Sequence, residues 1–137
     1  EMMNVVLPAA QAKGYRVDYC ATPNLLPAGR PAPYMIFENL IKLGVDSLDA
    51  VVKVGDTIAD IKEGVNAKVW TVGVVLGSNE LGLTLDEVNA LSATELELRK
   101  QDVRNRMLAA GAHYTVDSIE ELPAVIDNIN NFKLSRI

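Results

Sequence analysis

The chain has little of the residue types that cross-link small secreted domains or bind soft metals. Its 137 residues include one cysteine, Cys20, and one histidine, His113. A single cysteine cannot form an internal disulfide, which is typical of a reducing compartment and favours a cytoplasmic location. A histidine with no second histidine or cysteine near it in sequence is more typical of a structural residue than of a metal ligand or a base.

Two further absences narrow the class of protein. No apolar run approaches the about 18 residues that a membrane-spanning helix needs. Positive charge is scarce, with 13 Lys and Arg against 18 Asp and Glu and a formal net charge of −5. Because a surface of this sign repels phosphate backbones, we expect no nucleic-acid partner. The lack of a long apolar run predicts no membrane partner. With 49% hydrophobic and 23% charged residues, the chain is typical of one globular domain.

Short apolar runs alternate with longer segments of helical spacing. We predict strands over residues 19–22, 51–55, 69–75 and 113–116. Helices are predicted over residues 2–13, 33–43, 57–66, 92–110 and 118–130, and residues 76–83 are predicted to form a surface loop. Strands that alternate with helices of this length indicate βαβ units. The expected fold is an α/β sandwich around a parallel sheet.

The segment over residues 51–60 carries the strongest chemical signal. A buried strand leads into Gly55, and Asp56 follows at the tip of that strand, where ligands of open parallel sheets bind. Asp60 lies one turn along the next helix, and two carboxylates so placed suit a hard divalent cation such as Mg²⁺. Thr57 and Asp60 also have the spacing of a helix-capping pair, so a structural role for Asp60 stays open. Lys53 shares its alternation with Gly55, and we assign it no catalytic role.

A second segment presents one arginine from a loop restricted by proline. Arg30 lies between Gly29 and Pro31, just before a predicted helix. A guanidinium held in this way suits a phosphate group, because it donates in a planar fork. Taken alone, the segment is more typical of a surface arginine in a turn.

Together these segments resemble a known family. Residues 29–33 (GRPAP) and 55–60 (GDTIAD) are similar to the third and fourth motifs of the haloacid dehalogenase superfamily. Residues 22–31 (TPNLLPAGRP), 76–83 (LGSNELGL) and 111–116 (GAHYTV) narrow the resemblance to its phosphonoacetaldehyde hydrolase (phosphonatase) family. The similarity extends over nearly all of the chain. It implies a three-layer Rossmann-like parallel sheet of the haloacid dehalogenase type.

The resemblance also implies a reaction and site residues. Phosphonatases cleave the carbon–phosphorus bond of phosphonoacetaldehyde to acetaldehyde and phosphate with Mg²⁺, through a Schiff base and an aspartyl-phosphate. By motif match, Arg30 would bind the phosphoryl oxygens, Asp56 would coordinate Mg²⁺, and Asp60 would support the metal site from one step further out. The resemblance further implies a small phosphonate substrate, a cytoplasmic enzyme and a homodimer in the complete protein.

The sequence departs from the family pattern by what it omits. It contains no segment like the first superfamily motif, which carries the nucleophilic aspartate, and no cap domain with the Schiff-base lysine. It opens on Glu1, which we interpret as a cut end. We therefore expect residues 1–137 to be the C-terminal part of a core domain whose N-terminal strand and cap are absent. This chain would contain no catalytic nucleophile and would be inactive alone.

Two other functions remain open from the sequence. The chain is also compatible with another phosphatase or phosphomutase of the same superfamily. A third interpretation is a non-catalytic fragment that self-associates, because removal of a central strand would expose strand edges and apolar helix faces.

Overall fold

A computed structural model describes residues 2–135 as a parallel sheet between helices. The helices and strands follow in the order α1 (Met2–Ala12), α2 (Tyr34–Leu43), β1 (Val52–Gly55), α3 (Ile58–Ala67), β2 (Trp70–Val74), α4 (Leu85–Ala90), α5 (Ala93–Ala109), β3 (Tyr114–Val116) and α6 (Leu122–Ser135). Single 3₁₀ turns lie at Pro23–Leu25, Leu48–Ala50 and Ile119–Glu121. In this part of the chain, no helix is both long enough and apolar enough to cross a membrane.

The three strands within residues 2–135 form one sheet in the order β1-β2-β3, and both pairings are parallel. Val54 lies opposite Val72, and Val74 lies opposite Val116. Parallel pairing brings the carboxyl ends of all three strands to one edge, where the loops after them meet. The expected α/β class with a partial parallel sheet is confirmed.

Successive residues of β2 face opposite sides of the sheet, and helices cover both sides. Val72 faces α6 and packs with Val116, Val125 and Ile129. Gly73 faces the other side, where an added Cβ would lie close to Ile61 of α3 and overlap Met107 of α5. Because both faces are covered, β2 is apolar nearly throughout, as expected for a central parallel strand.

The strand predicted over residues 19–22 is wrong. The chain there is irregular and partly exposed, and it pairs with no strand in the described part of the chain. A β-strand is stabilised by a hydrogen-bonded neighbour, and apolar character alone does not supply one. Cys20 therefore lies in an irregular, half-buried segment.

His113 has a structural role, as expected. Its backbone N–H donates to the carbonyl of Thr71 at 2.8 Å, and its Nδ1 accepts from the backbone N–H of Thr71 at 3.1 Å. The imidazole also packs against Trp70, with 4.9 Å between ring centroids. These contacts join the start of β3 to β2.

Candidate functional site

The candidate site lies where β1 turns into α3. Asp56 follows the last residue of β1 and is half-buried, and Asp60 lies in the first turn of α3 with 5% exposure. A Cβ on Gly55 would overlap the side chain of Asp60. Gly55 is therefore needed for the close approach of Asp60 to the strand.

Both carboxylate oxygens of Asp60 are fully engaged. Oδ1 accepts from Nη1 of Arg30 at 2.6 Å and lies 3.3 Å from Nζ of Lys53. Oδ2 accepts from the hydroxyl of Thr57 at 2.8 Å and from the backbone N–H groups of Asp56 and Thr57, each at 3.2 Å. With the bond from the Asp60 N–H to the Thr57 hydroxyl, this completes a capping box. The capping interpretation of Asp60 is confirmed.

These contacts determine the ionisation of Asp60. Burial alone would raise the pKa of its carboxyl. The hydrogen bonds from Arg30 and Thr57 and the charge of Lys53 outweigh burial, and they lower the pKa from an ordinary 3.8 to about 2. Asp60 is thus a permanent anion at neutral pH that holds two cations.

Asp56 has a different environment. Its Oδ2 accepts one hydrogen bond, from the backbone N–H of Asn79 at 3.1 Å. Within residues 2–135, Oδ1 has no protein donor, and no three Asp, Glu, His or Cys side chains converge on one point. Asp56 is therefore the carboxylate at this sheet edge with an oxygen available to an external group.

Arg30 reaches the site from the loop before α2. Its side chain is 45% exposed although Nη1 is bound to Asp60. The peptide bond between Arg30 and Pro31 is cis, and the Pro31 carbonyl accepts from Nδ2 of Asn66 in α3 at 2.7 Å. The loop is thereby held on α3, and Asp60 contacts both Arg30 and the backbone of Asp56.

Sequence reasoning missed a buried ion pair beside these residues. Lys53 of β1 places Nζ 2.7 Å from Oε1 of Glu63, whose side chain is 1% exposed. Oε2 of Glu63 is buried and has no hydrogen-bond partner in the described part of the chain. The signal was present in the sequence, because Lys53 shares the parity of Gly55 and Glu63 lies one helical turn after Asp60.

A cleft of about 780 Å³ runs along the open edge of β1. The four charged residues Arg30, Lys53, Asp60 and Glu63 line it, together with apolar side chains that include Met35 and Ile36. Arg30 and Asp60 therefore open onto this cleft, whereas Asp56 is not among its lining residues.

Comparison with known proteins places this geometry in context. No protein-family model matches the chain. It is 75% identical over 131 residues to the phosphonoacetaldehyde hydrolase of Bacteroides fragilis, which covers 96% of this chain and 50% of that protein. A phosphonoacetaldehyde hydrolase-like protein from Oleispira antarctica superposes with a TM-score of 0.89 at 37% identity, over 95% of this chain and 47% of that one. A haloacid dehalogenase-like protein of unknown function from Agrobacterium tumefaciens shares the fold alone, with a TM-score of 0.67 at 21% identity, over 94% of this chain and 50% of that one.

The parallel sheet between two helix layers thus has the haloacid dehalogenase-like α/β fold. Within that class, nearly all of the chain matches about half the length of proteins named phosphonoacetaldehyde hydrolase, at 50–75% identity. It spans about half the length of the curated relatives that it matches.

Proposed function

We propose that residues 1–137 form the C-terminal part of the core domain of a phosphonoacetaldehyde hydrolase. The complete protein would cleave the carbon–phosphorus bond of phosphonoacetaldehyde to give acetaldehyde and phosphate. The observation that carries the proposal is the meeting of Arg30, Asp56 and Asp60 at the carboxyl end of β1. The names of the relatives support the choice of substrate.

In this proposal Arg30 binds the phosphoryl oxygens. Asp60 engages one terminal nitrogen of the guanidinium and fixes its plane. The other N–H groups lie on a side chain that is 45% exposed, so they can donate to an anion in the cleft. A guanidinium held in advance stabilises charge on a transferring phosphoryl group without reorganisation during the reaction.

The residues present fit a hard divalent cation held by Asp56, with Asp60 in support. Asp56 offers a carboxylate oxygen without a protein donor, whereas Asp60 accepts from Arg30 and from the backbone N–H of Asp56 itself. A magnesium ion at Asp56 would supply Lewis-acid stabilisation of phosphoryl charge. Asp60 would support the metal ion indirectly, because it orients Asp56 and Arg30 and would not itself coordinate the ion.

The net charge of the side chains around Asp60 also favours a bound cation. Arg30 and Lys53 balance Asp60 and Glu63, which leaves the negative charge of Asp56 uncompensated. A phosphonate anion would be repelled by that excess unless a cation offsets it. We therefore expect substrate binding to depend on a divalent metal.

The remaining chemistry would use groups from the half of the relatives that this chain does not match. A Schiff-base lysine would activate the aldehyde, and an aspartate would attack phosphorus and form an aspartyl-phosphate, which is then hydrolysed. Such division of one hard step into two is the usual gain of covalent catalysis. The chain alone would be inactive, and the complete enzyme would be a cytoplasmic homodimer.

The experiment is a hybrid protein that joins this chain to the unmatched half of the Bacteroides fragilis relative. We expect the hybrid to release phosphate from phosphonoacetaldehyde in a Mg²⁺-dependent reaction, and Asp56→Asn to lower kcat/KM by about 100-fold. Asp127→Asn, an exposed substitution on α6, is the matched control and should leave the rate unchanged. Near wild-type activity of Asp56→Asn would refute the site assignment.

One observation favours a second candidate function, self-association. The backbone N–H of Trp70 donates to the carbonyl of Val51, so alternate residues of β1 face β2. By alternation, the backbone groups of Val52 and Val54 face the open edge, where no strand within residues 2–135 pairs with them. Sedimentation of the chain would distinguish a stable dimer from a monomer.

A further inference from the structure

The loop over residues 76–83 is firmly anchored, although the sequence predicts a surface loop. Ser78 is 4% exposed, and its hydroxyl accepts from the backbone N–H of Leu81 at 3.0 Å. Leu81 is 8% exposed and packs into the core cluster with Ile61 and Val103. The two residues between these anchors, Asn79 and Glu80, are thereby held near the carboxyl end of β1.

Both of these residues contact the candidate site. The backbone N–H of Asn79 donates to Oδ2 of Asp56 at 3.1 Å. Oε1 of Glu80 accepts from the backbone N–H of Ile58, the first residue of α3, at 3.0 Å. Glu80 therefore ties the loop to the helix that begins two residues after Asp56.

An arginine of α5 fixes the carboxylate of Glu80. Nη1 of Arg106 donates to Oε2 at 2.7 Å, and Nη2 donates to the backbone carbonyl of Glu80 at 3.1 Å. Arg106 is itself held by Asp102 one turn earlier, at 3.1 Å. One guanidinium thus binds both the side chain and the backbone of Glu80, which restricts the position of the loop.

We propose that Glu80 is a positioning residue for Asp56. By tying the loop to α3, it holds the N–H of Asn79 on Oδ2 of Asp56 and leaves Oδ1 directed to a cation. The inference rests on the proposed role of Asp56. A carboxylate oriented in advance binds a cation more tightly, because less rotational freedom is lost on binding.

The test uses the full chain and three variants. Glu80→Ala removes the acceptor for Ile58, and Glu80→Gln keeps an oxygen in the same place. Glu97→Ala is the control, because Glu97 also accepts from an arginine of α5, Arg104 at 2.6 Å, in an ion pair that includes no residue of the loop. Amide hydrogen exchange at Ile58 and Asn79 is measured without metal. Binding at Asp56 is measured by the broadening of nearby amide signals by Mn²⁺, with Mg²⁺ as competitor.

We expect Glu80→Ala to speed exchange at both amides and to weaken Mn²⁺ binding, each by about fivefold, the loss typical of one hydrogen bond. Glu80→Gln should lie close to wild type, and Glu97→Ala should change neither quantity. Unchanged exchange in Glu80→Ala would overturn the inference, as would unchanged Mn²⁺ affinity despite faster exchange. If the wild-type chain shows no broadening around Asp56, the proposed metal role fails and the inference fails with it. If Mn²⁺ broadens signals around Asp56 equally in the wild type and in Glu80→Ala, the inference about Glu80 is overturned but the proposed metal role stands.

Discussion

Replacement of Asp60 by asparagine removes a buried carboxylate that holds two cations and closes a capping box. The side chain is 7% exposed, so solvent screens its interactions little. Its pKa falls from 3.8 to about 2 on folding because the bonds from Arg30 and Thr57 and the charge of Lys53 outweigh burial. Since one pKa unit corresponds to about 1.4 kcal/mol, the ionised form contributes about 2 kcal/mol to stability at neutral pH. We expect Asp60→Asn to lose about that amount at pH 7.

The loss has a defined pH dependence. Because the folded pKa is lower than the unfolded one, the stabilisation is complete above about pH 4 to 5 and disappears as the pH falls toward 2. At pH 3 about half of it, roughly 1 kcal/mol, remains. The wild type and Asp60→Asn should therefore converge in stability as acid protonates Asp60.

Urea unfolding of both proteins at several pH values between 7 and 3 measures this difference directly. Asp127→Asn is the matched control, because that carboxylate is exposed on α6. A difference below about 0.5 kcal/mol at pH 7, or one that does not shrink by pH 3, would refute the electrostatic reasoning. In the second case the loss would come from packing or the helix cap alone.

Three more changes test the site and its support. In the hybrid enzyme, Arg30→Met should lower kcat/KM by about 100-fold because it removes the phosphoryl donors, and a change below about threefold would contradict that role. Gly55→Ala should destabilise the chain by about 1–3 kcal/mol in urea unfolding, since the added Cβ overlaps Asp60; no loss would mean that Asp60 can move aside. Asp117, whose pKa is lowered by two cations of α5 despite the opposing effect of burial, should stabilise the fold above its ordinary pKa and less in acid. Asp117→Asn should therefore cost about 1 kcal/mol at pH 7 by the same assay and less at pH 3, and an equal cost at both would contradict the ion-pair explanation.

The parts of the fold that local sequence determines could be predicted. The strands β1, β2 and β3 are short apolar runs, and α3 begins at a capping pair that the spacing of Thr57 and Asp60 already showed. The strand predicted over residues 19–22 is wrong because strand formation there depends on tertiary structure and not on local sequence. An apolar segment becomes a strand only where another strand pairs with it, and that condition is set by tertiary structure.

The candidate site also combines residues that local sequence indicates with contacts that only the tertiary structure creates. The positions of Arg30, Asp56 and Asp60 followed from motifs and from the rule that parallel strands end at one edge. The contact of Glu80 with Ile58 joins residues 22 positions apart, so no local pattern contains it. Arg106 lies 26 residues from Glu80, on α5, so no local pattern contains that contact either.

The two oxygens of Asp60 explain how the proposed anion-binding group, Arg30, and the proposed cation-binding group, Asp56, come to lie side by side. Oδ1 fixes the guanidinium of Arg30, and Oδ2 fixes the backbone N–H of Asp56. One carboxylate thereby sets the separation between the proposed phosphoryl clamp and the proposed metal ligand. Its capping role and its proposed functional role are not alternatives, because the same first turn of α3 would serve both. The recognition elements of the proposed reaction are therefore preorganised within these residues, and the covalent chemistry is what the other half of the relatives would add.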